Sequence, residues 1–181
     1  IPHPGALLEA AERLDRIHEL GRVIRGRVAE AAVDADVKNL FVNLHSHDLL
    51  DEELFSPGSP LSKIAKRVVL EITERASLDE VKDLRARTMR LRALGFRLAV
   101  DDLGAGYAGL TSFAQLEPEV VKLDMSLVRN VHQEPTKRKL ITSMATLCKE
   151  LVMTVLAEGV ETKDERDVLV EIGCDLLQGY L

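Results

Sequence analysis

Each apolar run of strand character in this chain closes on an ionisable or amide side chain. In order these are Asn43, Glu71, Asp101 with Asp102, Lys122 with Asp124, Glu158 and Gln178. One such residue is an ordinary turn residue, but six runs in succession form a pattern. If the runs are parallel strands, their C-terminal ends share one face, where active sites of α/β proteins lie. Glu71, Asp101, Asp102, Asp124, Glu158 and Glu161 are then carboxylates near a common mouth. Unpaired, they repel and raise one another's pKa values, and a divalent cation resolves that conflict. Oxygen ligands, carboxylates plus the Asn43 amide, select a hard ion such as Mg2+ or Mn2+ over zinc. Adjacent Asp101 and Asp102 suit two ions roughly 3.5–4 Å apart, the arrangement that clamps both oxygens of a phosphoryl displacement. Lys122 among these acids orients or activates water, neutralises phosphate charge, or, in the plainer reading, only forms ion pairs.

Competing motifs are weaker. Gly104, Gly106 and Gly109 spell G-x-G-x-x-G after a strand, with Asp124 downstream. A pyrophosphate there would face Asp101 and Asp102 without compensation, so a flexible loop beside metal-binding aspartates is the better reading. His45 and His47 form H-x-H without a third partner at zinc spacing and are read as loop residues. Cys148 and Cys174 make no C-x-x-C and are read as reduced, buried thiols of a cytoplasmic protein.

The elements that must position these groups alternate along the chain. The first thirty-odd residues have helical periodicity, from Leu7 through Val28. Strands are expected at 39–44, 67–73, 96–100, 119–124, 153–157 and 174–177, with a helical turn in HDLLDEELF. Ser77 and Glu80 form a capping box for the helix after the second strand, and Gly95 stands at its C-terminal cap. Arg85, Arg87, Arg90 and Arg92 are read as a solvated face of that helix. Further helices follow Pro135 and span 164–172. Continuous apolar strands alternating with helices mean a parallel sheet and an α/β fold.

Composition sets the bounds. The chain has 181 residues, 46% of them hydrophobic, which is enough for the core of one domain. A net charge of −6 argues against a nucleic-acid coat, and 3% aromatics without Trp argue against a stacking platform for single strands. No apolar run reaches the roughly 18 residues that span a bilayer.

The motifs LEITE (70–74), DDLGAGY (101–107), VKLD (121–124), AEGVET (157–162) and GCDLLQGYL (173–181), with FVNL (41–44), resemble the EAL-domain family in order and spacing. The resemblance covers essentially the whole chain. It implies a modified TIM (β/α)8 barrel that hydrolyses the bacterial second messenger cyclic di-GMP to linear pGpG with two Mg2+ or Mn2+ ions. Asn43, Glu71, Asp101 and Asp102 then resemble metal ligands, and Lys122 and Glu158 the residues that position and activate water. Glu74 resembles the loop anchor, Asp124 and Glu161 supporting positions, and Gln178 a substrate-binding position. The implied partners are cyclic di-GMP, a second copy in a homodimer, and an attached sensor or GGDEF domain, with no nucleic-acid polymer. The E-A-L tripeptide is expected upstream of residue 1, so this stretch is expected to be an incomplete domain of about six strands. In DDLGAGYAGL, Leu103, Ala105, Ala108 and Gly109 replace the family's Phe, Thr and paired Ser. The alternatives are a catalytically silent EAL domain that binds cyclic di-GMP or a protein, and an unrelated metal-dependent barrel enzyme.

Overall fold

The computed structural model describes residues 4–33, 35–73, 78, 81–104 and 109–181, residues 4 and 109–112 by their backbone. The chain divides into two compact units, one of Ile1–Ile72 and Ala76–Arg97, the other of Thr73–Arg75 and Leu98–Leu181. Glu74, the Ser77–Glu80 capping box and residues 105–108 of the glycine loop lie outside the described residues.

The first unit opens with two helices, α1 (Pro4–Arg13) and α2 (Ile17–Ala31), in place of the single helical stretch that periodicity predicts. The break falls at Asp15, whose φ of 52° is left-handed. Asp is one of the few residues that tolerates this region, and one such residue ends a helix. Strands β1 (Leu40–Asn43) and β2 (Val68–Thr73) pair in parallel, with Asn43 opposite Glu71. Between them run short 3-10 segments, Ser46–Leu50, Glu52–Phe55 and Ser62–Arg67. His45 caps the first of these: its Nδ1 accepts from His47 N, and its Nε2 lies 2.9 Å from Glu12. Helix α3 (Leu84–Leu94) ends at Gly95, whose φ of 103° suits a left-handed cap. The arginines of α3 are not a uniformly solvated face. Arg87 and Arg90 both hold Glu52 and lie over the Phe55 ring, at 5.6 and 4.3 Å.

A buried ion network ties α2 to the 3-10 segments. Arg25, 4% exposed, reaches Asp48 at 2.7 Å and Asp51 at 2.6 Å, and Arg22 forks onto Asp51 at 2.7 and 3.0 Å. His18 lies close enough to both aspartates to suit a metal on spacing alone. The two arginines already neutralise these acids, so the cluster is an ion-pair network.

The second unit carries β3 (Arg97–Leu103), α4 (Gly109–Leu116), β4 (Val120–Leu123), α5 (Met125–Val128), α6 (Pro135–Glu150), β5 (Thr154–Val160), α7 (Lys163–Ile172) and β6 (Leu176–Gly179). Strands β3 to β6 pair in parallel in chain order. Their apolar side chains build a core of Leu103, Val121, Leu123, Val155, Ala157 and Val160, closed by Val128, Ile141, Cys148 and Leu169 from the helices. Pro135 at the start of α6 and Gly173, φ 99°, after α7 set those helix ends. β3 and β5 run past the apolar stretches that announce them and take in the acidic residues, and β6 falls two residues later than expected.

Candidate active site

The acids of the second unit owe their placement to backbone irregularity. β3 pairs Val100 with Val121 and then Leu103 with Leu123, so three residues of β3 span what two residues of β4 span. The extra residue makes a bulge at Asp101–Asp102, and Asp102 sits at φ 58°. Between β5 and β6, Ala157 pairs with Leu177 and Val160 with Gly179. That second bulge holds Glu158 and Gly159, the glycine at φ 67°. Successive side chains of a regular strand point to opposite faces, and a bulge re-aims them. Carboxylate oxygens of Asp101, Asp102 and Glu158 consequently lie within 4.8 Å of one another.

Lys122 comes from the regular strand β4, between the two bulged strands. Its side chain is only 5% exposed, and Nζ lies 2.9 Å from Asp101 Oδ1 and 2.6 Å from Glu158 Oε1. The ammonium therefore faces two carboxylates in a poorly hydrated place. Burial pushes the Glu158 carboxyl up from its ordinary pKa. The Lys122 hydrogen bond opposes that push, and the charges of Asp101 and Asp102 reinforce it. Asp101 is 8% exposed, and its Oδ1 also accepts from Asp102 N at 3.0 Å.

The other sequence-predicted residues divide. In the first unit, Asn43 and Glu71 end β1 and β2 at paired positions, Asn43 exposed and Glu71 buried. Asp124 caps α5 by accepting from Ser126 N at 2.8 Å. Glu161 is held by the Arg129 guanidinium, which forks onto both of its oxygens. Asp124 and Glu161 are thus matched by a cap and an arginine, so a repelling set of free carboxylates is smaller than the sequence implies. Gln178 lies on β6, with its side chain exposed. Gly104, φ 105°, is required by a close approach: a Cβ there would meet Leu127 Cδ1 at 2.3 Å.

Sequence reasoning passed over Glu165. This carboxylate on α7 is 1% exposed and accepts from the backbone N–H of Asn130, Glu161 and Thr162 at 2.9, 3.0 and 3.1 Å. The signal was the Thr162-Lys163-Asp164-Glu165 capping box ahead of an apolar periodicity.

The donor set fits a hard divalent cation. Three convergent carboxylates supply oxygen ligands alone and carry more negative charge than one ammonium balances.

The family model described as the EAL domain matches residues 1–181. Among named relatives, the cyclic di-GMP phosphodiesterase RocR of Pseudomonas aeruginosa is 32% identical over 147 residues, 79% of this chain and 38% of RocR. The oxygen sensor protein DosP of Escherichia coli is 28% identical over 186 residues, 98% of this chain and 23% of DosP. Among solved structures, the manganese and cyclic di-GMP complex of Klebsiella pneumoniae BlrP1 superposes with a TM-score of 0.84 at 29% identity, covering 98% of this chain and 47% of BlrP1. A second BlrP1 complex holds calcium with cyclic di-GMP. The chain spans less than half the length of each of these three proteins. Its fold is the one BlrP1 shows, and the described residues supply six parallel strands of it.

Proposed function

The chain belongs to the EAL domain family and supplies six parallel strands of the fold that BlrP1 shows, and on that premise we propose that it hydrolyses cyclic di-GMP to linear pGpG. The observation that carries this reading is the convergence of Asp101, Asp102 and Glu158 on two bulges, with the Lys122 ammonium paired to Asp101 and Glu158. The proposal assigns Asp101 and Asp102 as metal ligands and keeps the roles that the resemblance implies for Asn43 and Glu71. Two divalent ions, Mg2+ or Mn2+, supply when bound the positive charge that a phosphodiester and an attacking water need.

The chain's own groups do the rest. Lys122, flanked by carboxylates, keeps its proton and donates a hydrogen bond to the water or to a phosphate oxygen. Glu158 accepts the water's proton. Burial raises its basicity, which brings it nearer to the working pH of a general base. Water oxygen bonds to phosphorus as the P–O bond to one ribose oxygen breaks; that oxygen takes up a proton from solvent as it leaves, and Glu158 returns its proton to solvent. Gln178, exposed on β6, is assigned a substrate contact.

The likeness to manganese and calcium complexes with cyclic di-GMP supports the choice of ligand and ion class. The relatives' greater length supports a module of a longer signalling protein; its cytoplasmic location, an attached sensor or GGDEF domain and a homodimer are what the family resemblance implies. Among the described residues no helix is long and apolar enough to cross a membrane. The test is steady-state formation of pGpG by the full-length protein with Mg2+, Mn2+ and Ca2+. Turnover with Mg2+ or Mn2+ is the expected result. Binding of cyclic di-GMP without turnover would replace the enzyme with a receptor, the outcome that the Ala105 and Ala108 substitutions in the loop sequence would favour.

A further inference from the structure

Glu165 lies on α7, outside the cluster of Asp101, Asp102, Lys122 and Glu158, yet it is among the most buried side chains of the chain. A buried carboxylate is costly unless it is paired or hydrogen-bonded. Here three partners are backbone donors from two different loops, with the Thr162 hydroxyl as a further side-chain partner. Oε1 takes the N–H of Asn130, in the segment between α5 and α6. Oε2 takes the N–H of Glu161 and of Thr162, between β5 and α7. Burial alone would raise the pKa of this group, but the three N–H donors and the Thr162 hydroxyl outweigh it and hold the carboxyl below its ordinary value. It is therefore a permanent anion at working pH.

The two loops so joined follow the two strands that carry Lys122 and Glu158. From Lys122 the chain passes through the end of β4 and the single turn of α5 to Asn130. From Glu158 it passes through Gly159 and Val160 to Glu161. The same two loops are joined again by the Arg129–Glu161 fork, and Lys137 Nζ donates to Arg129 O at 2.8 Å. Asn130 adopts φ 58°, an uncommon conformation that needs support from its surroundings. A capping role for α7 accounts for the Glu161 and Thr162 bonds but leaves the Asn130 bond unexplained.

We propose that Glu165 is a positioning residue for the reaction: it clamps the loops after β4 and β5 and so holds Lys122 and Glu158 in register. This rests on the phosphodiesterase reading for its consequence, and on the hydrogen-bond geometry for the clamp itself. Glu165 touches none of the reacting groups, and its effect passes through backbone.

The chemistry of the side chain makes a selective test. In Glu165→Gln one oxygen becomes an NH2, which cannot accept. Two donors oppose one end and a single donor opposes the other, so the amide places its oxygen towards Glu161 and Thr162. The Asn130 N–H then faces another donor and loses its partner. Thr162→Val serves as the structural control: it removes the hydroxyl that accepts from Glu165 N and also bonds the Glu165 carboxylate, so it weakens the helix cap, but it leaves the clamp's three backbone bonds in place.

The experiment compares the full-length wild-type protein with E165Q, E165A and T162V. Amide hydrogen exchange at Asn130, Glu161 and Thr162 reads the clamp without substrate. Hydrolysis of cyclic di-GMP with Mn2+ reads its consequence. In E165Q, exchange at Asn130 accelerates at least about tenfold, kcat falls about tenfold, and KM stays within about twofold, because orientation is lost rather than substrate affinity. E165A accelerates exchange at all three amides, which marks the carboxylate as the holding group, and wild-type protection in E165A overturns the clamp. T162V lowers the melting temperature while kcat stays within about twofold. Unchanged exchange in E165Q, normal kcat despite faster exchange, or an equal kcat loss in T162V overturns the proposal. A wild-type protein inert towards cyclic di-GMP would defeat the phosphodiesterase reading alone. The clamp is then judged by exchange and by the Lys122 ammonium 15N signal: broadening in E165Q supports it, and an unchanged signal overturns it.

Discussion

Asp102 and Gly159 occupy matching places on two bulges that flank the strand carrying Lys122. Both have left-handed backbones, φ 58° and 67°, and both follow or adjoin an acid of the cluster. The resemblance is functional geometry rather than sequence repetition. Each bulge adds one residue to its strand, and each breaks the alternation that would send neighbouring side chains to opposite faces. Without the bulge in β3, Asp101 and Asp102 could not both bring an oxygen within 4.8 Å of Glu158.

Gly159 is the more sensitive of the pair. Its left-handed φ disfavours a side chain, and a Cβ would come 2.6 Å from Met125 Cβ. The left-handed conformation costs a non-glycine residue roughly 1–2 kcal/mol, before any clash. Gly159→Ala is expected to lower stability by at least that much and to displace Glu158, its neighbour. A thermal melt and a kcat measurement check both parts. A variant with wild-type melting and turnover would show that the bulge is not needed.

Lys122 is more deeply built in than a strand-end residue at an open mouth should be. At 4% exposure, between Asp101 and Glu158, it neutralises two carboxylates that otherwise repel. Lys122→Ala is expected to cut turnover at least about 100-fold, the usual range for a positioned proton donor. It should also destabilise the metal-free protein, on the order of 3 kcal/mol, by leaving buried charge unpaired. Mn2+ should then raise the melting temperature of the variant more than that of the wild type, since the cation takes over the neutralising charge. Chelation with EDTA should reverse the gain. Equal Mn2+ shifts in both proteins would separate Lys122 from the metal cluster. Lys122→Arg should recover little activity, because a planar fork does not replace a point donor.

The strands and their acidic ends were legible because a buried parallel strand must be continuously apolar, so a polar residue at its close stands out. Asp101, Lys122 and Glu158 were found that way. The bulges were not legible: the extra residue shows only in the pairing register with β4 and β6, which lie about twenty residues further on in the chain. Asp15 gave no warning of a helix break, since nothing in its type distinguishes an αL residue from a surface acid. The Arg25 network joins residues 23 and 26 positions apart, and no local pattern announces contacts at that separation. Glu165 was legible as a helix cap, but its bond to Asn130 was not.

Asp51 predicts the acid limb of the stability profile. The Arg22 fork, helped by the Glu53 N–H and Arg25 and opposed by burial, holds its carboxyl at about 2, against an ordinary 3.8. A depressed folded pKa means the unfolded chain binds more protons between these values. Stability from this group is therefore complete above about pH 4 and is lost as pH falls through about 2. The contribution is roughly 2 kcal/mol at neutral pH. Asp51→Asn is expected to remove it and to flatten the unfolding free energy between those pH values, as measured by urea titration at several pH values. An unaltered acid slope in the variant would assign that slope to other carboxylates.

The two glycines inside α2 should respond in opposite directions to the same substitution. Alanine is favoured over glycine in a helix interior by roughly 0.5–1 kcal/mol, because it restricts the unfolded chain and fits helical backbone without strain. At Gly26 nothing lies within 4 Å of the added methyl, so Gly26→Ala should gain about that amount. At Gly21 the same methyl would meet Asp48 Oδ1 at 2.2 Å and Arg25 Nη1 at 2.8 Å. Asp48 is only 4% exposed and is held by Arg25 Nη1 and by His45 N, so it has little room to move. Gly21→Ala must push apart a buried ion pair, and breaking such a pair costs about 3–5 kcal/mol. The net expectation is a loss of at least about 2 kcal/mol after the helical gain is subtracted. Chemical denaturation of both variants reads the difference directly. A stabilised Gly21→Ala would mean that Asp48 can shift while keeping Arg25, and the glycine would then owe its place to something other than that close approach.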